Sequence, residues 1–404
     1  MIRTTPFHAR LTELNDQHLY THWSGHLSAL RYSSAPKHEY FAVRNGVGVF
    51  DTSPLFKCRI TGPDAEAFLA GLMVRDVAAC RPGRAAYTLW CDDRGYVRDD
   101  GVVFRHGERE FLLTSARPVL GWLTDHRHRM RVDLEDVTDE HGMLAVQGPR
   151  SRDVLAALVP EVTDLRYFGV VEAKVGSVPV VVSRTGYTGD LGFELLVPAE
   201  DAVPVLDAVL EAGRPHGLRP FGEDALMTLR IEAGLPLGDI EWHDSRTAWT
   251  DHDRVTPKEL GQGWMLKGVR DGTRRFVGSQ AIRRELVDGT SRWATTGIVV
   301  DWADWDRLHR DAGELPTKDP EQLGWEQWLR ADAEGVGEQV GYVTSFCYSP
   351  VLQRHIGLAR VRPGLADPGT VLHMETTLHH GTHMVAVTTA RLPFFNPARK
   401  TATP

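Results

Sequence analysis

Three strand-like runs, residues 84–90, 96–104 and 110–114, are joined only by Asp93-Arg94-Gly95 and His106-Gly107, turn chemistry that permits antiparallel pairing and little else. This meander restricts the fold more than any other feature. An antiparallel core, with no sustained strand-helix-strand alternation around it, argues against a doubly wound parallel sheet and for an α+β class.

The rest of the first 288 residues mixes short strands and helices. Residues 57–61 read as a strand ending at Gly62-Pro63, and 64–73 as a helix with Asp64 as its first-turn acid. Residues 143–146 form a short strand stopped by Gln147-Gly148-Pro149, and 151–158 a helix capped by Ser151. A single strand is expected over 175–184, a Gly-rich turn over 185–189, a strand over 193–197 and a helix over 202–212. Composition shifts near residue 288, so we divide the chain into 1–288 and 289–404. The later part holds a charged, Trp-rich stretch, 301–334 (Trp302, Trp305, Trp325, Trp328), expected to be a partly helical insertion with its own packing.

Charge and cysteine content narrow the partners. Against 54 acidic residues stand 46 Lys and Arg, a net charge of -8, which gives no attraction for nucleic acid or anionic membranes. The N-terminus lacks the apolar core of a signal peptide, and no apolar run reaches the ~18 residues of a membrane span, so a cytoplasmic location is expected. Cys58, Cys80, Cys91 and Cys347 include no Cys-x-x-Cys pair and read as reduced, buried thiols. His379, His380 and His383 lie in a hairpin-like stretch with no Cys partner, and no metal site is expected.

Seven collinear segments carry a resemblance. They are Glu39-Tyr-Phe-Ala-Val-Arg-Asn-Gly-Val-Gly-Val-Phe-Asp-Thr-Ser53, Arg84-Ala-Ala-Tyr-Thr-Leu89, Gly95-Tyr-Val-Arg-Asp-Asp100, Met143-Leu-Ala-Val-Gln-Gly-Pro149, Arg184-Thr-Gly-Tyr-Thr-Gly-Asp-Leu-Gly-Phe-Glu194, Thr228-Leu-Arg-Ile-Glu-Ala-Gly234 and Thr344-Ser-Phe-Cys-Tyr-Ser-Pro350. Together they resemble the glycine-cleavage T-protein family of tetrahydrofolate-dependent aminomethyltransferases and their demethylase relatives. The resemblance implies a folate-binding N-terminal region of two interlocked α+β subdomains, a C-terminal β-barrel-like domain, and tetrahydrofolate as cofactor.

It also implies roles. Neighbouring strand residues point to opposite faces, so only one of Asp99 and Asp100 faces a given pocket. The family match assigns Asp99 to the chemistry, as the carboxylate near the reacting nitrogens, with Asp100 turned away. By the same resemblance Glu194 accepts the paired N–H groups of the pterin, Trp264 lies along the folate, and Tyr87 and Tyr187 line the pocket. Arg230 and Glu232, two apart in a helical stretch, do not share a face; one is expected inward and one toward solvent, both structural.

The sequence departs from T-proteins in two places. Leu226-Met227 stand where the family commonly carries Arg-Asp, and Pro54-Leu55 where it carries His-Met. These changes and the added tryptophans place the demethylase reading first: methyl transfer from a small, flat or greasy donor, such as an aromatic O-methyl ether, to N5 of tetrahydrofolate. Tyr32, His38 and Arg117 are candidates to stabilise a leaving phenolate. The alternatives are an aminomethyltransferase of a glycine-cleavage-type system, for which a lipoyl carrier is the less favoured partner, and a non-catalytic folate-binding regulatory protein.

Overall fold

The computed structural model describes residues 2–316 and 327–403. By contacts the chain forms two units, Met1–Trp90 with Asp99–Leu229 and Asn396–Pro404, and Cys91–Arg98 with Arg230–Phe395.

The first unit rests on two sheets. One has six strands in the order Val170–Val175, Val178–Ser183, Gly192–Pro198, His141–Gln147, Gly48–Asp51 and Arg219–Pro220, with only the last pair parallel. The other is the meander: Arg84–Cys91, Val97–Arg105 and Glu110–Ser115, continued by Phe56–Thr61 and Asp133–Asp136.

The six-stranded sheet is covered on both faces, and strand alternation sorts its side chains between them. Leu144, Val146, Phe193, Leu195 and Val197 bury against helices Ser151–Ala156 and Ala202–Gly213. On the opposite face Met143, Val181 and Leu196 meet Ala85, Phe104 and Leu112 of the meander. Each fully buried side chain of this size contributes about 1.5–3 kcal/mol.

Three local expectations change. Ser151 is not the cap of its helix; its hydroxyl donates to the Leu191 carbonyl, which also accepts from the Gly148 N–H. Asp64 stands at the N-cap of helix Ala65–Leu72 without a capping bond, since its carboxylate is taken by Arg131 at 3.1 and 3.2 Å. That pairing ties down the basic segment that follows helix Leu120–Arg127. The strand expected over 175–184 runs Val178–Ser183; its start is a turn, because Gly176 adopts a positive φ and Val175, ending the strand Val170–Val175, pairs with Val178.

The second unit contains a closed six-stranded barrel in the order Ala294–Val300, Arg354–Val361, Gln339–Ser349, Gln327–Arg330, Val371–Leu378 and Gly381–Ala390. A barrel this small has no lumen to spare, and Ile298, Leu329, Val343, Met374 and Val385 fill it. The boundary drawn at residue 288 lies inside this unit, at the end of helix Ser279–Asp288.

In its described residues, 301–316 and 327–334, the Trp-rich stretch is not self-packed. It opens with helix Trp302–Asp311, capped by the Asp301 carboxylate, and Trp305 of that helix joins the barrel core. It ends by supplying the barrel strand Gln327–Arg330, which carries Trp328. Trp325 lies outside the described residues. The four cysteines are free and buried, and His379 bonds the Ala312 carbonyl and pairs with Glu314.

The C-terminal tail is fastened to the first unit by charge. Arg184, almost fully buried, donates to the carbonyls of Arg399, Lys400 and Ala402, while Arg399 holds the enclosed Asp190 carboxylate at 2.7 and 2.8 Å. Removing residues 396–404 takes three carbonyl acceptors from the buried Arg184 and the closer of two arginines from the enclosed Asp190. We predict that the truncated chain loses about 3–5 kcal/mol of stability, measured by urea denaturation; an unchanged midpoint would make the latch incidental.

Candidate active site

Glu194 lies in strand Gly192–Pro198, opposite Ser183 on one neighbour and Ala145 on the other. Alternation sends Phe193 and Leu195 into the helix-covered core and turns Glu194, with Leu196, toward the meander. The two sheets leave a small, partly open recess of about 10 Å³ there, lined on the far side by Phe104, His106, Leu112 and Thr114. Thr185 Oγ1 donates to Glu194 Oε2, and Ser183 Oγ lies 2.6 Å from Thr185 Oγ1. Among the described residues no donor reaches Glu194 Oε1. Burial raises the Glu194 pKa, and the Thr185 bond opposes that rise only in part.

The turn before Glu194 has its shape because of Gln147. This buried amide donates to the carbonyls of Thr185 (3.2 Å) and Phe193 (3.1 Å) and accepts from Thr188 Oγ1 (2.9 Å). It occupies the space a side chain would need at two positions: a Cβ on Gly186 would stand 2.0 Å from Gln147 Oε1, and one on Gly192 2.3 Å. The glycines of this motif therefore admit a side chain from the next strand.

The acid pair of strand Val97–Arg105 is oriented by the same rule. Phe104 lines the cavity, so Asp100 and Val102 share its face, while Asp99 lies with the buried Val103 on the other. Neither Asp99 nor Asp100 is among the residues that line this recess. Asp99 is buried and accepts from Arg117 Nη1 at 3.1 Å. Asp100 accepts from the Tyr87 hydroxyl at 3.0 Å. Burial lifts the Asp100 carboxyl to about 6, against the opposing pull of the Tyr87 bond and of the Arg117 charge. Burial, then the Asp100 and Tyr187 charges, push the Tyr87 phenol well up, so Tyr187 belongs to the same electrostatic neighbourhood.

The structure thus gathers Tyr87, Asp100, Tyr187 and Glu194 within the first unit. Trp264 belongs to the second unit, exposed in the short 3-10 turn Gly263–Leu266, its Nε1 donating to Gln262 Oε1 at 2.8 Å. Arg230 and Glu232 depart from expectation: neither reaches solvent. Arg230 donates to Glu241 and Ser345 and Glu232 accepts from Ser349, so the second unit satisfies both charges internally. His38 is exposed on helix Pro36–Asn45.

Sequence reasoning missed His106, Thr114 and Ser183. Continuing the Asp100, Val102, Phe104 alternation reaches His106, and pairing the two strands that flank the Gly-rich turn 185–189 would have set Ser183 beside Glu194. Burial lowers the His106 pKa and keeps the imidazole neutral near pH 7. Among the described residues no group of three or more His, Cys, Asp or Glu could hold a metal ion, and no helix is long and apolar enough to cross a membrane.

Two family models match this chain, the GCVT N-terminal domain over residues 13–267 and the glycine cleavage T-protein C-terminal barrel domain over 319–396. The chain belongs to the glycine-cleavage T-protein family. The aminomethyltransferase of Geobacillus kaustophilus is 35% identical over 348 residues, 85% of this chain and 86% of that protein. The aminomethyltransferase of Saccharopolyspora erythraea is 32% identical over 398 residues, 97% and 98% of the two chains. The crystal structure of glycine cleavage system aminomethyltransferase T from Bartonella henselae superposes with a TM-score of 0.80 at 22% identity, covering 98% of this chain and 99% of that one, and it shares the fold. T-protein aminomethyltransferases use tetrahydrofolate. The names of these relatives favour the aminomethyltransferase reading over the demethylase reading that the sequence placed first.

We predict that Gln147→Leu, which leaves two buried carbonyls and the Thr188 hydroxyl without their partner, destabilises this T-protein by about 2–4 kcal/mol. Thermal unfolding monitored by circular dichroism measures it. A variant as stable as the parent would show that the turn holds its shape without the amide.

Proposed function

We propose that this T-protein is an aminomethyltransferase of a glycine-cleavage-type system. It moves the carbon of an aminomethyl group, carried on the lipoyl arm of a partner protein, to tetrahydrofolate and releases ammonia. The carrying observation is the cavity between the two sheets of the first unit, where a buried carboxylate offers an oxygen that no protein donor uses. That oxygen suits the adjacent ring N–H and amino group of a pterin, which a carboxylate accepts together. Tetrahydrofolate, when bound, supplies the nitrogen that takes the one-carbon unit.

Glu194 orients the pterin from one wall. Asp100 and Tyr87, on the meander side, manage protons: with its carboxyl near 6, Asp100 is mostly ionised at pH 7.5 and accepts a proton readily. The sequence features that favoured a demethylase have other uses in the fold. Leu226 packs against the Tyr40, Val43, Phe50 and Phe221 cluster, and Trp305 belongs to the barrel core. Their apolar character needs no greasy donor.

The deciding experiment incubates the protein with tetrahydrofolate and either an aminomethylated lipoyl carrier or a panel of methyl ethers, with mass spectrometry of the folate. Methylene-tetrahydrofolate formed from the carrier is expected. Methyl-tetrahydrofolate formed from an ether would return the demethylase reading.

Two variants test the site. Glu194→Gln should weaken tetrahydrofolate binding by about 1–3 kcal/mol in calorimetric titration, because the amide offers one acceptor and a mismatched donor; an unchanged dissociation constant removes Glu194 from the pterin site. Asp100→Asn should slow carbon transfer by about 10²–10⁴-fold with little change in folate affinity. In the parent, an acidic limb near pH 6 should appear in the rate profile as Asp100 protonates, and the Asn variant should lack it. Loss of transfer in Asp99→Asn but not in Asp100→Asn would restore Asp99 as the reacting acid.

A further inference from the structure

A second recess in the first unit shares no residue with the Glu194 cavity. It is small and partly open, about 20 Å³, and its chemistry comes from Thr5, His8, Tyr20, Tyr32, Phe50 and Asp51. Tyr32 is only 6% exposed, yet among the described residues its hydroxyl has no hydrogen-bond partner. A hydroxyl that the protein leaves unpaired is open to a hydrogen bond from a ligand in the recess.

The rest of the lining says what that partner carries. Asp51 is the one carboxylate on the wall; it accepts from Thr5 Oγ1 and from the Ser53 N–H at 2.9 Å. Behind the wall stands a second, Glu223, bonded to the lining residue Ser28. No Lys or Arg lines the recess. Lys57, the ammonium closest to Asp51 in its electrostatics, is committed to the carbonyls of Ser53 (2.9 Å) and Leu55 (2.8 Å). Aromatic rings complete the wall, with His8 and Tyr20 centred 5.4 Å apart. With no cation on the wall itself, the Asp51 carboxylate disfavours anions in the recess, and π faces beside it attract cations.

We propose that this recess binds a small primary ammonium ion, with its charge against Asp51, one N–H donated to Tyr32 Oη, and any short carbon chain against the rings. The argument stands on the recess alone and not on the proposed reaction. Ammonium is what that reaction releases, but binding is measured without folate or donor.

The test titrates the intact protein calorimetrically with ammonium chloride and methylammonium chloride, against sodium chloride and tetramethylammonium chloride at equal ionic strength. Saturable binding of the first pair and none of the second is expected. Tyr32→Phe removes an oxygen with no protein partner, so the fold should keep its melting temperature while affinity falls about tenfold. Asp51→Asn should abolish binding; if that variant fails to fold, Tyr32→Phe decides alone. No saturable methylammonium binding in the parent, equal binding of sodium or tetramethylammonium, or undiminished affinity in Tyr32→Phe overturns the proposal.

Discussion

The side-chain amide of Gln147 is the contact on which the candidate site depends. It sits at the end of one strand and holds both ends of the turn that precedes Glu194, bonding Thr185 on one side and Phe193 on the other. Two glycines exist to let it in. Without it the backbone from 185 to 193 would need other donors for its buried carbonyls, and Thr185, which binds the Glu194 carboxylate, would lose its anchor. The direction of a reacting-site carboxylate is thus set by a neutral group that never touches the cavity.

Much of the fold was legible in the sequence, because strands and turns announce themselves locally. The meander could be read from Asp93-Arg94-Gly95 and His106-Gly107, and the helices at 65–72 and 202–213 from their apolar spacing. The errors came where a tertiary partner overrode a local signal. Ser151 looks like a cap until the Leu191 carbonyl is placed beside it, and Asp64 like a first-turn acid until Arg131 arrives from 67 positions away. The Trp-rich stretch looked separate because barrel closure, which recruits Gln327–Arg330, is not a local property. In the site, the roles given to Glu194 and Asp99 came from the motif alone, and alternation fixes that two neighbours differ but not which of Asp99 and Asp100 faces a ligand.

The acids of the first unit share an electrostatic theme. Burial raises Asp51, Asp100 and Glu194 above ordinary carboxylates. The sign of the consequence follows from linkage: a carboxyl whose folded pKa lies above its unfolded value costs stability in full above the folded pKa, and that cost is relieved as pH falls through it. For Asp100 the window runs from about 6 down toward the unfolded value near 4. At neutral pH the fold therefore holds Asp100 ionised against its own stability. A purely structural acid there could be replaced at no loss, so its retention fits a role that uses its charge.

The buried ion pairs have a different task. Arg44 and Arg399 both approach Asp190, whose side chain is fully enclosed, and Arg44 also donates to the Thr188 carbonyl at 2.9 Å. Such pairs seldom add net stability, because desolvation of both charges offsets most of their attraction. What they impose is direction. A guanidinium offers donors in one plane, so Asp190 and Thr188 are satisfied only when the turn carrying Tyr187 takes one orientation. Gln147 fixes the ends of that turn, the arginines fix its middle, and the C-terminal tail supplies one of the two. The segment that leads to Glu194 thereby becomes a rigid part of the first unit, and a carboxylate meant to meet two fixed N–H groups of a planar ring requires that rigidity.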